Sequence, residues 1–147
     1  MKIYAENRKA RFDYEILETF EAGIELTGIE VKSIRSGKAN IAGSFAILRG
    51  GEAYLVGSDI PPYQTNNTPQ DYDPNRTRKL LLNRSEINYL AGKVNSEKLT
   101  LVPLKLYNKK GLIKIELALT RGKKKSDKRE TIKKRETKRE IARTLKR

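Results

Sequence analysis

Hydrophobic and polar positions alternate with a period of two along much of the chain up to about residue 120. In residues 113–120 every odd position is isoleucine or leucine, which is the pattern of a half-buried strand. Similar alternation or short apolar runs predict five further strands, at 12–16, 24–26, 45–48, 53–56 and 99–106. Turn residues lie at 50–51 and 108–111. About six short strands with tight turns predict a mainly β protein, a closed or nearly closed antiparallel barrel.

Helical signals are fewer and more local. Asn83 is a good N-cap residue, and Glu86 completes a capping box three positions later, so a helix is predicted to begin there and to end at Gly92. The segment 28–37 has the basic residues near its end that suit a second, short helix. The segment 58–75 is rich in proline and shows no periodicity, which predicts a long functional or disordered loop.

The composition excludes several classes of protein. The chain has 147 residues, 32 Lys and Arg against 18 Asp and Glu, a net charge of +14, and neither Cys nor His. A disulfide framework, a zinc finger and catalysis by a Ser-His-Asp triad are therefore excluded. The amino terminus lacks the apolar region of a secretory signal, and no run reaches the length of a membrane span. We expect one cytoplasmic domain with a possible appendage and no membrane partner.

The positive charge is concentrated at the carboxyl end. Residues 122–147 contain 13 Lys and Arg and 4 Asp and Glu, a net charge of +9, whereas residues 1–121 have a net charge of +5. The end segment has few large apolar residues but many good helix formers. We predict that 1–121 folds independently as the barrel and that 122–147 is a basic tail, disordered alone and helical against a polyanion. A solvating tail without a partner is the alternative.

Two basic clusters are candidates for RNA contact: Arg8, Lys9 and Arg11, and Arg76, Arg78 and Lys79. The first cluster lies beside Phe12 and Tyr14, which suits phosphate contact combined with stacking of bases, although both aromatic side chains could instead face the core. The second cluster precedes the apolar run 80–82. It is either an edge that contacts phosphates or a solvated loop.

No set of residues predicts catalysis. Asp71 and Asp73 could in principle bind Mg²⁺, and Glu21, Glu25 and Glu30 could pair as carboxylates, but in so basic a chain the favoured interpretation is a set of salt-bridge partners. No glycine-rich phosphate loop follows a strand. We therefore expect neither a metal site nor a cofactor, and the pattern indicates a nonenzymatic basic barrel that binds RNA.

Five blocks of sequence resemble small protein B, the SsrA-binding protein family of bacteria: 7–11, 20–24, 28–33, 73–83 and 122–129. They occur in the family's order over nearly the whole chain. The resemblance implies an oligonucleotide-binding-type (OB-fold-like) barrel with two or three short helices that binds the tRNA-like domain of transfer-messenger RNA (tmRNA). It also implies delivery of tmRNA to stalled ribosomes, which allows trans-translation and ribosome rescue. A ribosomal or general tRNA-binding protein with the same barrel and tail is the alternative.

The resemblance also implies roles for individual residues. Those that match the family's tmRNA-binding face are Glu21, Leu81 and Asn83, and those that match its tail base are Gly122, Lys123 and Lys124. The ribosome-directed part of the tail begins with Asp127, Lys128 and Arg129 and continues with Lys133, Lys134, Arg135, Lys138 and Arg139. The implied partners are tmRNA, in a complex with one protein monomer, and the decoding region and messenger channel of the small ribosomal subunit.

Overall fold

A computed structural model describes residues 2–123 of the chain. The described residues form seven strands, three α-helices and one 3₁₀ turn. In chain order these are β1 (Ile3–Glu6), α1 (Arg8–Asp13), β2 (Tyr14–Ile24), α2 (Gly28–Arg35), β3 (Phe45–Arg49), β4 (Glu52–Val56), the 3₁₀ turn (Thr65–Asn67), β5 (Arg78–Leu81), α3 (Arg84–Glu97), β6 (Thr100–Lys109) and β7 (Leu112–Gly122).

The strands form one antiparallel sheet in the order β1-β6-β3-β4-β5-β2-β7, and β7 also pairs with β6. That additional pairing closes six strands into a ring, with β1 added at the outside of β6. The ring is not a regular barrel, because β3 meets β6 through a single residue pair, Ala46 and Leu101, and because β2 and β6 contain bulges. The predicted mainly β, antiparallel architecture with about six strands and two or three helices is confirmed in this irregular form.

The core lies inside the ring, where alternate strand residues meet the buried faces of α2 and α3. Ile34 of α2 and Leu90 of α3 are fully buried there, together with strand residues that include Leu55, Leu80, Leu101, Ile115, Leu117 and Leu119. A smaller cluster joins Ala10 of α1 to the outer sides of β6 and β7. This second cluster fixes α1 beside the end of β7.

Local sequence signals predicted two of the turns and two of the helices correctly. Asn83 caps α3, and its capping box with Glu86 is complete. Residues 28–35 form the second helix, which has a capping box of its own between Thr27 and Glu30. The turn at 50–51 has positive φ at both glycines, as a tight hairpin requires.

The prediction of a strand over 12–16 is wrong for its first half, since Phe12 and Asp13 belong to α1. The side chain of Asn7 accepts a hydrogen bond from the Ala10 nitrogen at 3.2 Å and donates one to the Pro103 carbonyl at 2.9 Å. This buried N-cap begins α1, although the alternating pattern of its last residues predicts a strand. A tertiary contact therefore overrides the local period.

Two further boundaries differ from the predictions. The helix α3 does not end at Gly92 but continues to Glu97, and Lys98 is its C-cap with a φ of 52°. Residues 24–26 are not a separate strand, because β2 runs unbroken to Ile24 and ends there. The short strands β1 and β5 were not predicted.

The long loop at 58–75 is fixed to the body by side-chain hydrogen bonds. The Ser33 hydroxyl of α2 donates to the Pro61 carbonyl at 2.6 Å, and the Arg78 guanidinium of β5 donates to the Pro74 carbonyl at 3.0 Å. Within residues 2–123, no helix is long and apolar enough to cross a membrane. The predicted tail beyond Lys123 lies outside the described residues, and with it the predicted site residues Lys124, Asp127, Lys128, Arg129, Lys133, Lys134, Arg135, Lys138 and Arg139.

Candidate RNA interface

Pairing between β2 and β5 brings the three residues of the predicted tmRNA-binding face together. Gly23 pairs with Leu81 and Ile24 with Leu80; Glu21 lies two residues before Gly23 on β2, and Asn83 lies two residues after Leu81, as the N-cap of α3. Leu80 is buried, so its neighbour on the strand, Leu81, points outward. Leu81 is 48% exposed. Two distant segments of the sequence are therefore neighbours here, and we call their residues Glu21, Leu81 and Asn83 the Glu21 face.

The carboxylate of Glu21 is held by two neighbours on β6. It accepts a hydrogen bond from the Tyr107 hydroxyl and lies 2.9 Å and 3.2 Å from the ammonium nitrogen of Lys109. The Tyr107 hydrogen bond, followed by that from Lys109, lowers the pKa of Glu21 below its ordinary value. Burial, and then the bond to Glu21, raises the pKa of Tyr107. Glu21 is thus an oriented, charge-compensated acceptor, so its repulsion of RNA phosphates is reduced.

Asn83 divides its amide group between the fold and the surface. Its side-chain oxygen accepts hydrogen bonds from the Glu86 nitrogen at 2.9 Å and from the Ser85 hydroxyl at 2.7 Å. Its amide nitrogen makes no hydrogen bond to any described residue, and it can donate to an acceptor on RNA. The helix cap and an RNA contact are therefore compatible in one side chain.

Leu81 packs closely over Gly23, and any larger residue at position 23 would have to displace the Leu81 side chain. A Cβ atom at Gly23 would lie 3.2 Å from the Leu81 Cβ, closer than ordinary packing. Beside them is a hollow of about 260 Å³, whose apolar wall includes Val31 and Leu112 and whose rim includes Lys114. The Glu21 face thus combines an exposed apolar side chain with hydrogen-bonding groups, and the cations Lys109 and Lys114 lie beside it.

Sequence reasoning missed Tyr107, Lys109 and Lys114 as members of this surface. Tyr107 and Lys114 pair across β6 and β7, and Lys114 pairs with Gly23 across β7 and β2. The alternating pattern of β7 placed Lys114 on the outer side, but nothing in the sequence gave the register that brings it to Glu21.

The cluster on α1 and the tail base lie next to each other, at the far end of β2. Tyr14 pairs with Gly122, the Lys123 nitrogen donates to the Asp13 carbonyl at 3.0 Å, and the Lys123 ammonium group donates to the Arg11 carbonyl at 3.1 Å. These contacts unite two predicted sites in a second basic surface, which we call the α1 face: Arg8, Lys9, Arg11, Gly122 and Lys123. Tyr14 and Glu21 are seven residue steps apart along β2, which corresponds to roughly 23 Å at about 3.3 Å per residue.

The cluster at 76–79 is not a row of free cations. Arg78 is fully buried at 0% exposure, and its Nε lies 2.6 Å from Glu30 Oε2. No phosphate can reach it there, so the prediction of a phosphate contact is wrong for Arg78. Arg76 is partly exposed but binds the other oxygen of Glu30 at 2.7 Å, and Lys79 lies 3.5 Å from Glu52.

Two of the carboxylates considered for metal binding already have other partners in the fold. Glu30 is buried between two arginines, and the Asp73 side chain accepts a hydrogen bond from the Asn75 nitrogen at 2.9 Å. Among residues 2–123, no three potential ligands are grouped in a way that could hold a metal ion.

Comparison with known proteins gives matches over nearly the whole chain. The sequence model of the family described as SmpB protein matches residues 4–147. The SsrA-binding protein of Synechococcus elongatus is 55% identical over 147 residues, which are 100% of this chain and 96% of that protein. The SsrA-binding protein of Nostoc punctiforme is 54% identical over 145 residues, covering 99% of this chain and 94% of that protein.

A solved structure described as "tmRNA-SmpB: a journey to the center of the bacterial ribosome" contains a chain with the same fold. The TM-score is 0.67 and the sequence identity 51%, and the match covers 86% of this chain and 92% of that one. Both the sequence and the fold match over far more than half the chain. The chain therefore belongs to the SmpB protein family.

Proposed function

We propose that the protein binds tmRNA and brings it to stalled ribosomes for trans-translation. The observation that carries this proposal is the β2–β5 register: Gly23 pairs with Leu81, Glu21 lies two residues from Gly23 on β2, and Asn83 lies two residues beyond Leu81. The relatives are named SsrA-binding proteins, and the matching solved structure is described by tmRNA, SmpB and the bacterial ribosome. The resemblance and the geometry therefore support the same function.

The chemistry of the Glu21 face suits folded RNA with exposed bases and 2′-hydroxyl groups. Leu81 offers an apolar contact for an unstacked base, the Asn83 amide nitrogen is a donor, and the Glu21 carboxylate is an acceptor for a 2′-hydroxyl or a base edge. Lys109 and Lys114 lie close enough to contact phosphates beside them. Recognition of this kind depends on the shape of the RNA, as binding of a tRNA-like domain requires.

The described body ends at the α1 face, where the predicted tail begins. Lys123 is anchored to α1 by hydrogen bonds to the carbonyl groups of Asp13 and Arg11, so the described body ends beside α1. We infer that the tail enters the messenger channel of the small ribosomal subunit and becomes helical there, while the body stays on tmRNA. The protein acts by binding, as a cytoplasmic monomer in a one-to-one complex with tmRNA, and catalyses no reaction.

Competition between tmRNA and bulk tRNA tests the proposal. At physiological salt, tmRNA should be bound at least tenfold more tightly than bulk tRNA. Replacement Leu81→Ala should lower the affinity for tmRNA about tenfold, whereas Leu17→Ala, which removes an exposed leucine on β2 outside the Glu21 face, should leave it unchanged. Equal affinity for both RNAs would instead indicate a general tRNA-binding or ribosomal protein.

A further inference from the structure

The outer side of β3, β4 and β5 forms an apolar surface with no function assigned so far. Ile47 pairs with Tyr54 across β3 and β4, and Tyr54 pairs with Lys79 across β4 and β5. Phe45 pairs with Val56 in the neighbouring row. We call these residues, together with Arg49, the Tyr54 face.

The side chains of the Tyr54 face point outward because the opposite positions on the same strands point into the core. Ala53, Leu55 and Leu80 are buried inside the ring, so their neighbours along the strands face solvent. Phe45 is 41% exposed, and Tyr54 and Ile47 are half-buried. Two aromatic rings therefore lie on the same outward side of the sheet as Ile47 and Val56.

The Tyr54 face has a shallow hollow of about 520 Å³ above Tyr54 and Ile47, with Arg49 at its rim. The hollow is large enough for a nucleotide base with its sugar, but it is too shallow to enclose a small molecule. A flat hollow with an aromatic ring is the geometry of a stacking platform. Strand surfaces of this type in oligonucleotide-binding barrels are used for the same purpose.

The charges on the Tyr54 face favour a polyanion over a protein partner. Arg49 is exposed and forms no ion pair with any described residue, although Glu52 stands opposite it in the β3–β4 register. The carboxylate of Glu52 lies 3.5 Å from the Lys79 ammonium group. The face therefore has two cations and one anion, within a body that is itself basic.

We propose that the Tyr54 face binds unpaired nucleotides of RNA. Bases stack on Tyr54 and Phe45, Ile47 and Val56 complete the apolar floor, and Arg49 and Lys79 contact the phosphates. Double-stranded RNA is excluded because its bases are stacked on one another and cannot reach the rings. The proposal goes beyond tmRNA delivery and does not depend on the role of the Glu21 face.

An NMR titration of the full-length protein with a uridine hexamer tests this assignment at the residue level. The tail binds RNA through its charge, so the readout is the Ile47 methyl group and the rings of Phe45 and Tyr54 rather than total binding. We expect these signals to shift with the hexamer and to remain in place with a blunt RNA duplex. Signals that stay in place with the hexamer, or that shift equally with the duplex, would overturn the proposal.

Variants separate stacking from a structural effect. Tyr54→Ala should raise the dissociation constant read at the Ile47 methyl at least about fivefold, the size expected for loss of one stacked base, and Tyr54→Phe should retain the affinity. Tyr63→Ala removes an exposed tyrosine outside this face and should have no effect. Equal weakening by Tyr54→Ala and Tyr63→Ala would contradict a stacking role.

Arg49→Ala provides a second test if Tyr54→Ala fails to fold, since Arg49 is exposed at the end of a hairpin. It should weaken hexamer binding at the same methyl group and reduce its salt dependence by about one counterion. If instead the hexamer affinity is unchanged while RNA-free ribosomal proteins shift the Ile47 signal, the face is a protein-docking surface and the proposal is wrong. The tmRNA competition above reports on the Glu21 face, so the two proposals fail separately.

Discussion

Glu30 of α2 and Arg78 of β5 form an ion pair inside the body, with 2.6 Å between Oε2 and Nε. Both side chains are almost completely inaccessible to solvent. The remaining donors of Arg78 reach the Ser58 hydroxyl at 3.0 Å and the Pro74 carbonyl at 3.0 Å. The pair thereby joins α2, both ends of the long loop and β5, and it positions the strand that presents Leu81.

Replacing Glu30 by glutamine should destabilise the protein strongly. The variant leaves the Arg78 guanidinium buried without its counter-ion, and breaking one side of a buried ion pair costs about 3–5 kcal/mol. Urea denaturation of the full-length protein measures this loss. Glu97→Gln breaks an exposed pair with Lys93 and should change the free energy of unfolding by less than about 1 kcal/mol. A loss of similar size in both variants would show that the Glu30–Arg78 pair has no special weight.

The same pair predicts a pH dependence of stability. Burial by itself raises the pKa of Glu30, but hydrogen bonds from Arg76, the Thr27 backbone and Arg78 outweigh it and hold the pKa below 4.5. The folded state therefore binds fewer protons than the unfolded state around that value. The stabilisation is complete above pH 4.5 and is lost as the pH falls towards the folded pKa. Denaturation between pH 3 and pH 7 should show this loss in the natural protein and a flatter profile in Glu30→Gln.

The Glu30–Arg78 pair also shows where the sequence stops being informative. The two residues are separated by 48 positions, and no local pattern marks a partner at that distance. A charged run such as 76–79 is ordinarily a surface feature, so the sequence predicts that this cluster is exposed. The buried guanidinium could be foreseen only from the tertiary contact between Arg78 of β5 and Glu30 of α2.

Local chemistry was predictable where a few neighbouring residues determine it. The capping box of Asn83 and Glu86 begins α3 as its sequence indicates, since both partners lie within one turn. The strand assigned to Phe12 was wrong because the deciding contact, from Asn7 to Pro103, crosses the fold. Glu21 could be named from the family resemblance. Its partners Tyr107 and Lys109 could not be predicted, because only the register of the strands places them beside it.

Loss of the Tyr107 hydroxyl should weaken the Glu21 face. In Tyr107→Phe the carboxylate of Glu21 loses the hydrogen bond that contributes most to its low pKa, so its pKa should rise towards the ordinary value. The tyrosine hydroxyl also orients the carboxylate, so we expect the proposed Glu21–RNA contact to be misaligned and tmRNA affinity to fall roughly two- to tenfold, the range for one hydrogen bond. Carboxyl NMR of Glu21 and filter binding measure the two effects. Tyr4→Phe, at a tyrosine of β1 outside this face, is the control and should change neither quantity.

Gly92 should be replaceable with a gain in stability. It lies inside α3 rather than at its end, and a Cβ atom there would meet no atom within 4 Å. Alanine in an exposed helix interior is favoured over glycine by about 0.5–1 kcal/mol, so Gly92→Ala should raise the free energy of unfolding by that amount. Gly111→Ala is the contrasting variant, because its φ of +80° disfavours a side chain. A loss of stability in Gly92→Ala would mean that α3 ends near residue 92 after all.

Removal of residues 124–147 should separate binding of tmRNA from its use on the ribosome. The last strand ends at Gly122, and Lys123 is held by α1 through two hydrogen bonds, so a chain that ends at Lys123 keeps every contact of the described body. We expect it to retain most of its affinity for tmRNA at physiological salt and to lose tagging on stalled ribosomes. Gel-shift titration and a peptide-tagging assay measure the two activities.

The shortened chain should also show a shallower dependence of tmRNA affinity on salt concentration, because 12 Lys and Arg and 4 Asp and Glu are removed and each phosphate contact contributes to the slope. If affinity and tagging are lost together, the tail and not the Glu21 face supplies most of the binding to tmRNA.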